Sequence, residues 1–264
     1  MIEFAARSET GNIRSNNEDN LFCNGIFKTL DRLNEPFYLS GVSQTPCIFA
    51  VFDGMGGEDC GETASLTAAE TLNEHSEKIL RAVLDDDANF AVNNYVTDSA
   101  KRLRDIMKAQ RVRTGTTLAL AVIDDDSFTA YNLGDSRIYR LCNNHLIRVT
   151  DDHTVAEDKV RLGMMTPAKA AKSRERHILT RCLGIYDDAL TLAPDINGPF
   201  DVSDNRAVLI CSDGLTDMLT HKELNDIATS FKSPSEIVNA LTDSALANGG
   251  HDNITCIFVK FTID

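Results

Sequence analysis

The chain has 264 residues, of which 42% are hydrophobic and 25% charged, so it can bury a large core and is not a disordered polymer. Its net charge of −14 makes nucleic acid and anionic membrane surfaces poor partners. Seven unclustered cysteines, several inside apolar runs, point to reduced and mostly buried thiols, and without a basic leader followed by a long apolar stretch the protein is expected in the cytoplasm.

In chain order, a short strand is expected at Leu21 to Cys23. The stretch from Gly25 to Thr45 is long for a connection, and its apolar residues are expected to extend a hairpin against the core, in preference to forming a partner surface. Cys47 to Phe52 reads as a buried strand. Helical spacing follows at Glu62 to Val83 and Ala88 to Arg111. Branched and aromatic runs then predict strands at Thr117 to Ile123, Phe128 to Leu133, Arg137 to Leu141 and Leu146 to Val149, with Asn143-Asn144 as a hairpin turn that tolerates positive φ. A basic, polar stretch runs from Lys159 to His177, carrying Arg161, Lys169, Lys172, Arg174 and Arg176.

Strands return at Ala207 to Cys211 and Ile254 to Phe261. Between them Thr220-His-Lys-Glu223 and Ser233-Pro-Ser-Glu236 have the form of capping boxes, and Asn248-Gly249-Gly250 ends the second helix. No segment reads as a linker, so one domain spanning 1–264 is expected. Strands cluster with strands and helices come in pairs, which predicts an α+β layered fold with helices outside antiparallel sheets.

Two apolar runs end in the same dipeptide, Asp53-Gly54 and Asp213-Gly214. A buried strand there delivers a carboxylate to a sheet edge, and glycine lets the backbone approach closely. A single Asp-Gly would be read as a turn. Further acids stand at strand ends in Glu18-Asp19, Gly134-Asp135 and Asp252-Asn253. Five such sites suit oxygen ligation of Mg²⁺ or Mn²⁺, whereas Zn²⁺ prefers histidine and thiolate.

These residues carry a resemblance to the PPM family, the type-2C metal-dependent serine/threonine protein phosphatases, and to its bacterial branch. The matching motifs are Arg14-Ser-Asn-Asn-Glu18-Asp19, Phe52-Asp53-Gly54-Met55-Gly56-Gly57 with Gly61 and Ala64-Ser65, Gly115-Thr116-Thr117, Gly134-Asp135-Ser136-Arg137, Asp151-Asp152-His153, Leu179-Thr-Arg-Cys-Leu-Gly184, Ser212-Asp213-Gly214-Leu215 and Asp252-Asn253-Ile254-Thr255. They span nearly the whole chain in the family's order.

The resemblance implies a central sandwich of two antiparallel sheets flanked by helix pairs, with two Mn²⁺ or Mg²⁺ ions at one sheet edge. Asp53 would bridge both metals, the Gly54 carbonyl and Glu18 would serve one, and Asp213 and Asp252 would complete the other. Asp19 would stand just outside the ligand set. Asp135, with Asp213, matches a third, weaker metal position in bacterial members. A water between the metals would attack phosphorus, and Arg14 would hold the phosphate oxygens through its planar fork.

Implied partners are phosphorylated proteins, among them a Ser/Thr kinase and its targets, met by a monomeric enzyme. Some family members place a histidine after the Asp-Gly pair as the leaving-group acid. Met55 stands there instead, so a water near Asp135 becomes the candidate donor, while His153 is read as structural. The stretch Lys159 to His177 matches a flap beside the channel, either drawing phosphorylated segments or simply solvated.

The sequence admits three rival readings. Cys142-Asn-Asn-His-Leu-Ile-Arg148 has the bare Cys-x5-Arg spacing of cysteine-dependent phosphatases, but it straddles a predicted hairpin and lacks the loop-to-helix context. A partner-binding pseudophosphatase would have lost its ligand acids. A phosphatase of a partner-switching pathway acting on anti-anti-sigma proteins would share the chemistry and differ only in substrate.

Overall fold

The computed structural model describes residues 1–56, 60–184 and 192–262, so Gly57 of the Asp-Gly-Met-Gly-Gly motif lies outside the described residues. One sheet contains β1 (Ile2–Glu9), β4 (Phe37–Ser43), β9 (Arg137–Cys142), β10 (His145–Arg148), β12 (Ala207–Cys211) and β13 (Ile254–Phe261), in the spatial order β10-β9-β12-β13-β1-β4. The other contains β2 (Asp19–Cys23), β3 (Ile26–Phe27), β5 (Cys47–Gly56), β7 (Leu118–Ile123), β8 (Ser127–Leu133) and β11 (Asp195–Asp201), in the order β11-β8-β7-β5-β2-β3. A short β6 (Thr114–Thr116) pairs with the far end of β5. The pairings described are antiparallel.

The sheets stack face to face because successive strand residues point to opposite faces. On the inner faces Phe4, Ala6, Leu21, Phe49, Val51, Ile210, Ile257 and Val259 form one buried cluster, with the Phe4 and Phe49 rings 5.1 Å apart between centroids. The outer face of the β5 sheet, carrying Phe22, Ile48, Ala50 and Phe52, is covered by the antiparallel pair α1 (Gly61–Leu84) and α2 (Ala88–Gln110). The outer face of the β13 sheet, with Leu209, Cys256 and Phe258, is covered by α6 (His221–Ser230) and α7 (Pro234–Ala247). This is the expected α+β sandwich, in α-β-β-α layers. Full burial of one such Phe or Leu contributes about 1.5–3 kcal/mol, so the three clusters supply most of the driving force.

Both capping boxes form as their residues dictate: Thr220 and Ser233 accept from the backbone of Glu223 and Glu236, whose side chains reach back to the cap. Asn143 and Asn144 take φ of 50° and 61°, the double left-handed turn of a tight hairpin between β9 and β10. Gly249 and Gly250, at φ of 129° and 53°, end the connection after α7. Between β10 and β11 the chain forms α3 (Val155–Arg161), α4 (Pro167–Ala170) and a 3₁₀ turn at Arg174–His177.

Besides the short β6, three strands went unpredicted. β1 sits in the middle of its sheet, but its Ala5-Ala6 pair and charged residues give it weak strand propensity. β11 contains Asn, Gly and Pro and lies at a sheet edge, where such residues are tolerated. β4 belongs to the Gly25 to Thr45 stretch: only Ile26–Phe27 continues the expected hairpin with β2, after which the chain crosses to pair with β1 in the other sheet.

Candidate active site

The apolar inner rows of both sheets turn polar at the same end of the sandwich. Along β5 the row Phe49, Val51 continues as Asp53; along β2, read backwards, Cys23 and Leu21 are followed by Asp19. Asp19 and Asp53 are registered partners. In the opposing sheet the equivalent positions are Ser8 in β1, Thr255 in β13 and Ser212 just after β12. The loops at this end add Arg14, Glu18, Asp135, Asp213 and Asp252. A cleft of about 600 Å³ opens between them.

Asp53 is held by the Gly115-Thr116-Thr117 motif. Its backbone N–H donates to Thr117 Oγ1 (2.9 Å), and its carbonyl accepts from Thr117 N (2.9 Å) and Thr116 Oγ1 (3.0 Å). Thr117 Oγ1 in turn shares a hydrogen bond of 2.7 Å with Ser136. At Gly54 an added Cβ would collide with the Gly61 carbonyl oxygen and come within 2.5 Å of that of Glu18. Only glycine permits the start of α1 to lie against this loop.

Asp213 opens the short helix α5 (Asp213–Thr216) where β12 ends. Asp252 precedes β13, and its neighbour Asn253 ties the site together: its Oδ1 accepts from Glu18 N (2.8 Å), and its Nδ2 donates to the carbonyls of Thr10 and Asn16 (both 2.8 Å). Arg14 is half exposed in the cleft and donates to Asp252 Oδ2 at 2.8 Å. Asp19 is buried, with Ser212 Oγ donating to its Oδ2 at 2.8 Å. All eight residues singled out from sequence, Arg14, Glu18, Asp19, Asp53, Gly54, Asp135, Asp213 and Asp252, thus meet at one end. Seven of them line the cleft, and Asp19 lies beneath it.

So many carboxylates in one enclosure raise one another's proton affinity. Burial first, then Asp19, Asp213, Asp135 and Asp252, holds Asp53 well above the usual carboxylate range. Burial first, then Asp213, does the same to Asp135. Asp19 is pushed up to about 7, chiefly by burial, against the hydrogen bonds from Thr255 and Ser212. Glu18 is raised by burial and pulled back by Arg14. Carboxylates in such a place stay ionised at neutral pH only when cations neutralise them. The donor set is all oxygen, which fits Mg²⁺ or Mn²⁺.

The cleft also holds residues that sequence reasoning did not single out as site residues. Asp217 lies one turn after Asp213, a spacing that puts both on one helix face. Arg176 reaches it from the 3₁₀ turn with two hydrogen bonds of 2.7 and 3.0 Å. His177 stands 3.7 Å from Asp213 Oδ2 and 3.8 Å from Asp217 Oδ2, and its pKa is raised, first by the hydrogen bond to Asp213. The basic stretch therefore enters the cleft at its C-terminal end, whereas Arg161 pairs locally with Asp158 and Lys159 with Glu175.

His153 is structural, as read. It is buried, its Nδ1 accepts from Gly134 N (3.1 Å), and its Nε2 faces both Asp195 Oδ2 (3.0 Å) and Arg181 Nη1 (3.1 Å). It thereby fixes the turn that carries Asp135. Cys142 and Arg148 occupy the two strands of an edge hairpin, with Arg148 paired to Asp152, and no phosphate-binding loop lies between them. Met55 lines the cleft beside Gly54.

A family model for protein phosphatase 2C matches residues 6–254. The serine/threonine phosphatase stp of Listeria welshimeri is 31% identical over 258 residues, covering 96% of this chain and 94% of that protein. Among solved structures, the serine/threonine phosphatase Stp1 from Staphylococcus aureus superposes with a TM-score of 0.81 at 25% identity, covering 100% of this chain and 96% of that one. The PPM Ser-Thr phosphatase MsPP from Mycobacterium smegmatis, solved in complex with cacodylate, gives 0.73 at 29% identity, with 98% of each chain covered. With the family model matched almost end to end and the acidic cleft at the sandwich end, the chain belongs to the protein phosphatase 2C family of serine/threonine phosphatases, in its bacterial PPM branch.

Proposed function

We propose that the chain hydrolyses phosphoserine and phosphothreonine on proteins with two divalent cations, Mn²⁺ or Mg²⁺, held at the acidic end of the sandwich. The observation that supports this most is the convergence of Asp53, Asp213, Asp252 and Glu18 on one cleft, with burial and mutual repulsion raising Asp53 and Glu18. Asp53 would lie between the two ions, Asp213 and Asp252 would complete one, and Glu18 with the Gly54 carbonyl the other. Asp19, anchored by Ser212, would orient the ligands from behind. Asp135, beside Asp213, is the proposed contributor to a third, weaker site.

When bound, the two divalent cations would supply an acidified water as nucleophile and charge neutralisation for the phosphate. Arg14, which lines the cleft and donates to Asp252 Oδ2, would supply the fork that orients the phosphate oxygens. MsPP, with cacodylate bound, offers an oxyanion precedent within the same fold. Attack forms a bond from water oxygen to phosphorus and breaks the bond to the serine or threonine oxygen, which takes a proton as it leaves. Met55 cannot provide that proton.

The proposed substrates are phosphorylated proteins, including a Ser/Thr kinase and that kinase's targets, and the proposed setting is the cytoplasm, with the chain acting as a monomer of one domain. Among the described residues no helix is long and apolar enough to cross a membrane. Phosphate release from a phosphothreonine peptide, with Mn²⁺ or with a chelator, tests the proposal; turnover undiminished by the chelator would overturn it.

A further inference from the structure

Beneath the acidic cleft lies a lysine that the phosphatase reaction does not require. Lys28 is 1% exposed, and among the described residues it is the one lysine or arginine buried to that degree. Its backbone is locked by Asn20, whose Oδ1 accepts from Lys28 N (3.0 Å) and whose Nδ2 donates to Lys28 O (2.9 Å). Its side chain runs inward, and Nζ stands 3.4 Å from the Asp19 carbonyl oxygen and 3.5 Å from Ser8 Oγ. Ser8 also accepts from Asn17 Nδ2 (3.1 Å) and shares a hydrogen bond with Thr255 Oγ1 (2.8 Å), and Ser212 accepts from Thr255 N (3.0 Å) while donating to Asp19. The ammonium thus belongs to one buried polar network that ends on the carboxylate behind the metal ligands.

Burying an ammonium costs several kcal/mol unless nearby negative charge offsets it. Its own hydrogen bonds are long and go to neutral oxygens, so they do not supply that offset. The negative charge that acts on it lies in Asp19 and then Glu9, and Asp19 in turn faces Asp252, Asp213 and Asp53. A cation fixed here attracts the same carboxylates that incoming metal ions must use, and it repels those ions through a medium of low dielectric constant.

We propose that Lys28 is a built-in counter-cation of the acidic centre, which holds the metal-free fold together and lowers the centre's affinity for divalent metal. Resting on the two-metal reading above, this gives Lys28 a positioning and tuning role without contact to substrate. It makes a prediction of unusual sign. A residue that merely braced Asp19 would, on removal, weaken metal binding; a competing charge, on removal, strengthens it.

The experiment is calorimetric titration of Mn²⁺ into metal-free wild type, Lys28→Met and Lys28→Arg, with thermal unfolding of each in chelator. The methionine variant should unfold at a lower temperature without metal yet bind Mn²⁺ more tightly, by roughly five- to tenfold. The arginine variant should keep the wild-type dissociation constant within about twofold. Should the methionine variant not fold, Lys28→Gln, whose amide can still donate to both oxygens, takes its place. Equal or weaker Mn²⁺ binding by a folded neutral variant overturns the role of Lys28. Absence of Mn²⁺ binding by wild type instead overturns the two-metal reading itself.

Discussion

Asp19 and Asp53 stand directly opposite each other across the β2–β5 ladder, both facing the seam between the sheets. Directly opposed like charges destabilise a sheet. Here two carboxylates occupy such positions on neighbouring strands, with Asp213 and Asp252 arriving from the other sheet. This local conflict in an otherwise consistent core is what marks the end of the sandwich as a site for cations.

The metal-free chain should respond to pH in the direction these acids set. Glu18, Asp19, Asp53 and Asp135 bind protons more tightly folded than unfolded. Their contribution is fully present below the unfolded carboxylate value near 4 and is lost as pH rises through the folded values, about 7 for Asp19. In chelator the unfolding temperature should therefore fall by roughly 5 °C between pH 5 and 8 relative to the Mn²⁺-loaded protein. His153, lowered mainly by burial, pulls the other way in both forms and cancels in the difference. A metal-free protein whose relative stability climbs across that window contradicts the account.

Arg14→Ala should reduce kcat/KM on a phosphopeptide by about 10²-fold, and Arg14→Lys should recover only part of that loss, because a single ammonium cannot reproduce two parallel N–H donors. Steady-state kinetics at saturating Mn²⁺ is the measurement. Full rescue by lysine would show that charge alone is used.

Asn253→Ala removes the amide that joins Glu18 N to the carbonyls of Thr10 and Asn16. Leaving these backbone groups without that partner should cost about 2 kcal/mol of stability. Because Glu18 and Asp252 flank the amide, the concentration of Mn²⁺ giving half-maximal activity should rise in the same variant. Denaturant unfolding and a metal titration read the two effects separately.

Gly54→Ala should lose stability by about 1–3 kcal/mol, since its Cβ meets backbone oxygens on two sides and neither belongs to a flexible side chain. The wild-type unfolding temperature in Gly54→Ala would show that the start of α1 can yield.

Much of this was legible in the sequence, for reasons that are local. Asp53 and Asp213 announce themselves because an uninterrupted apolar strand ends in Asp-Gly, and both capping boxes lie within four consecutive residues. What escaped depends on distant partners. β1 has few branched residues and is a strand because β13 and β4 flank it. Asp217 needed the helical register of α5, and its partner Arg176 is brought to it from 41 residues away. Lys28 looks like any surface lysine in sequence; only the crossing of the chain between the sheets buries it.

The most direct test of the whole account is phosphate release from a phosphothreonine peptide by wild type and Asp213→Ala, each with Mn²⁺ and with chelator. Wild type should turn over with Mn²⁺ alone, and the variant should lose ~10²–10³-fold or more, the scale of several kcal/mol of lost metal-ligand function. Turnover that survives the chelator, or an Asp213→Ala variant as active as wild type, would contradict it.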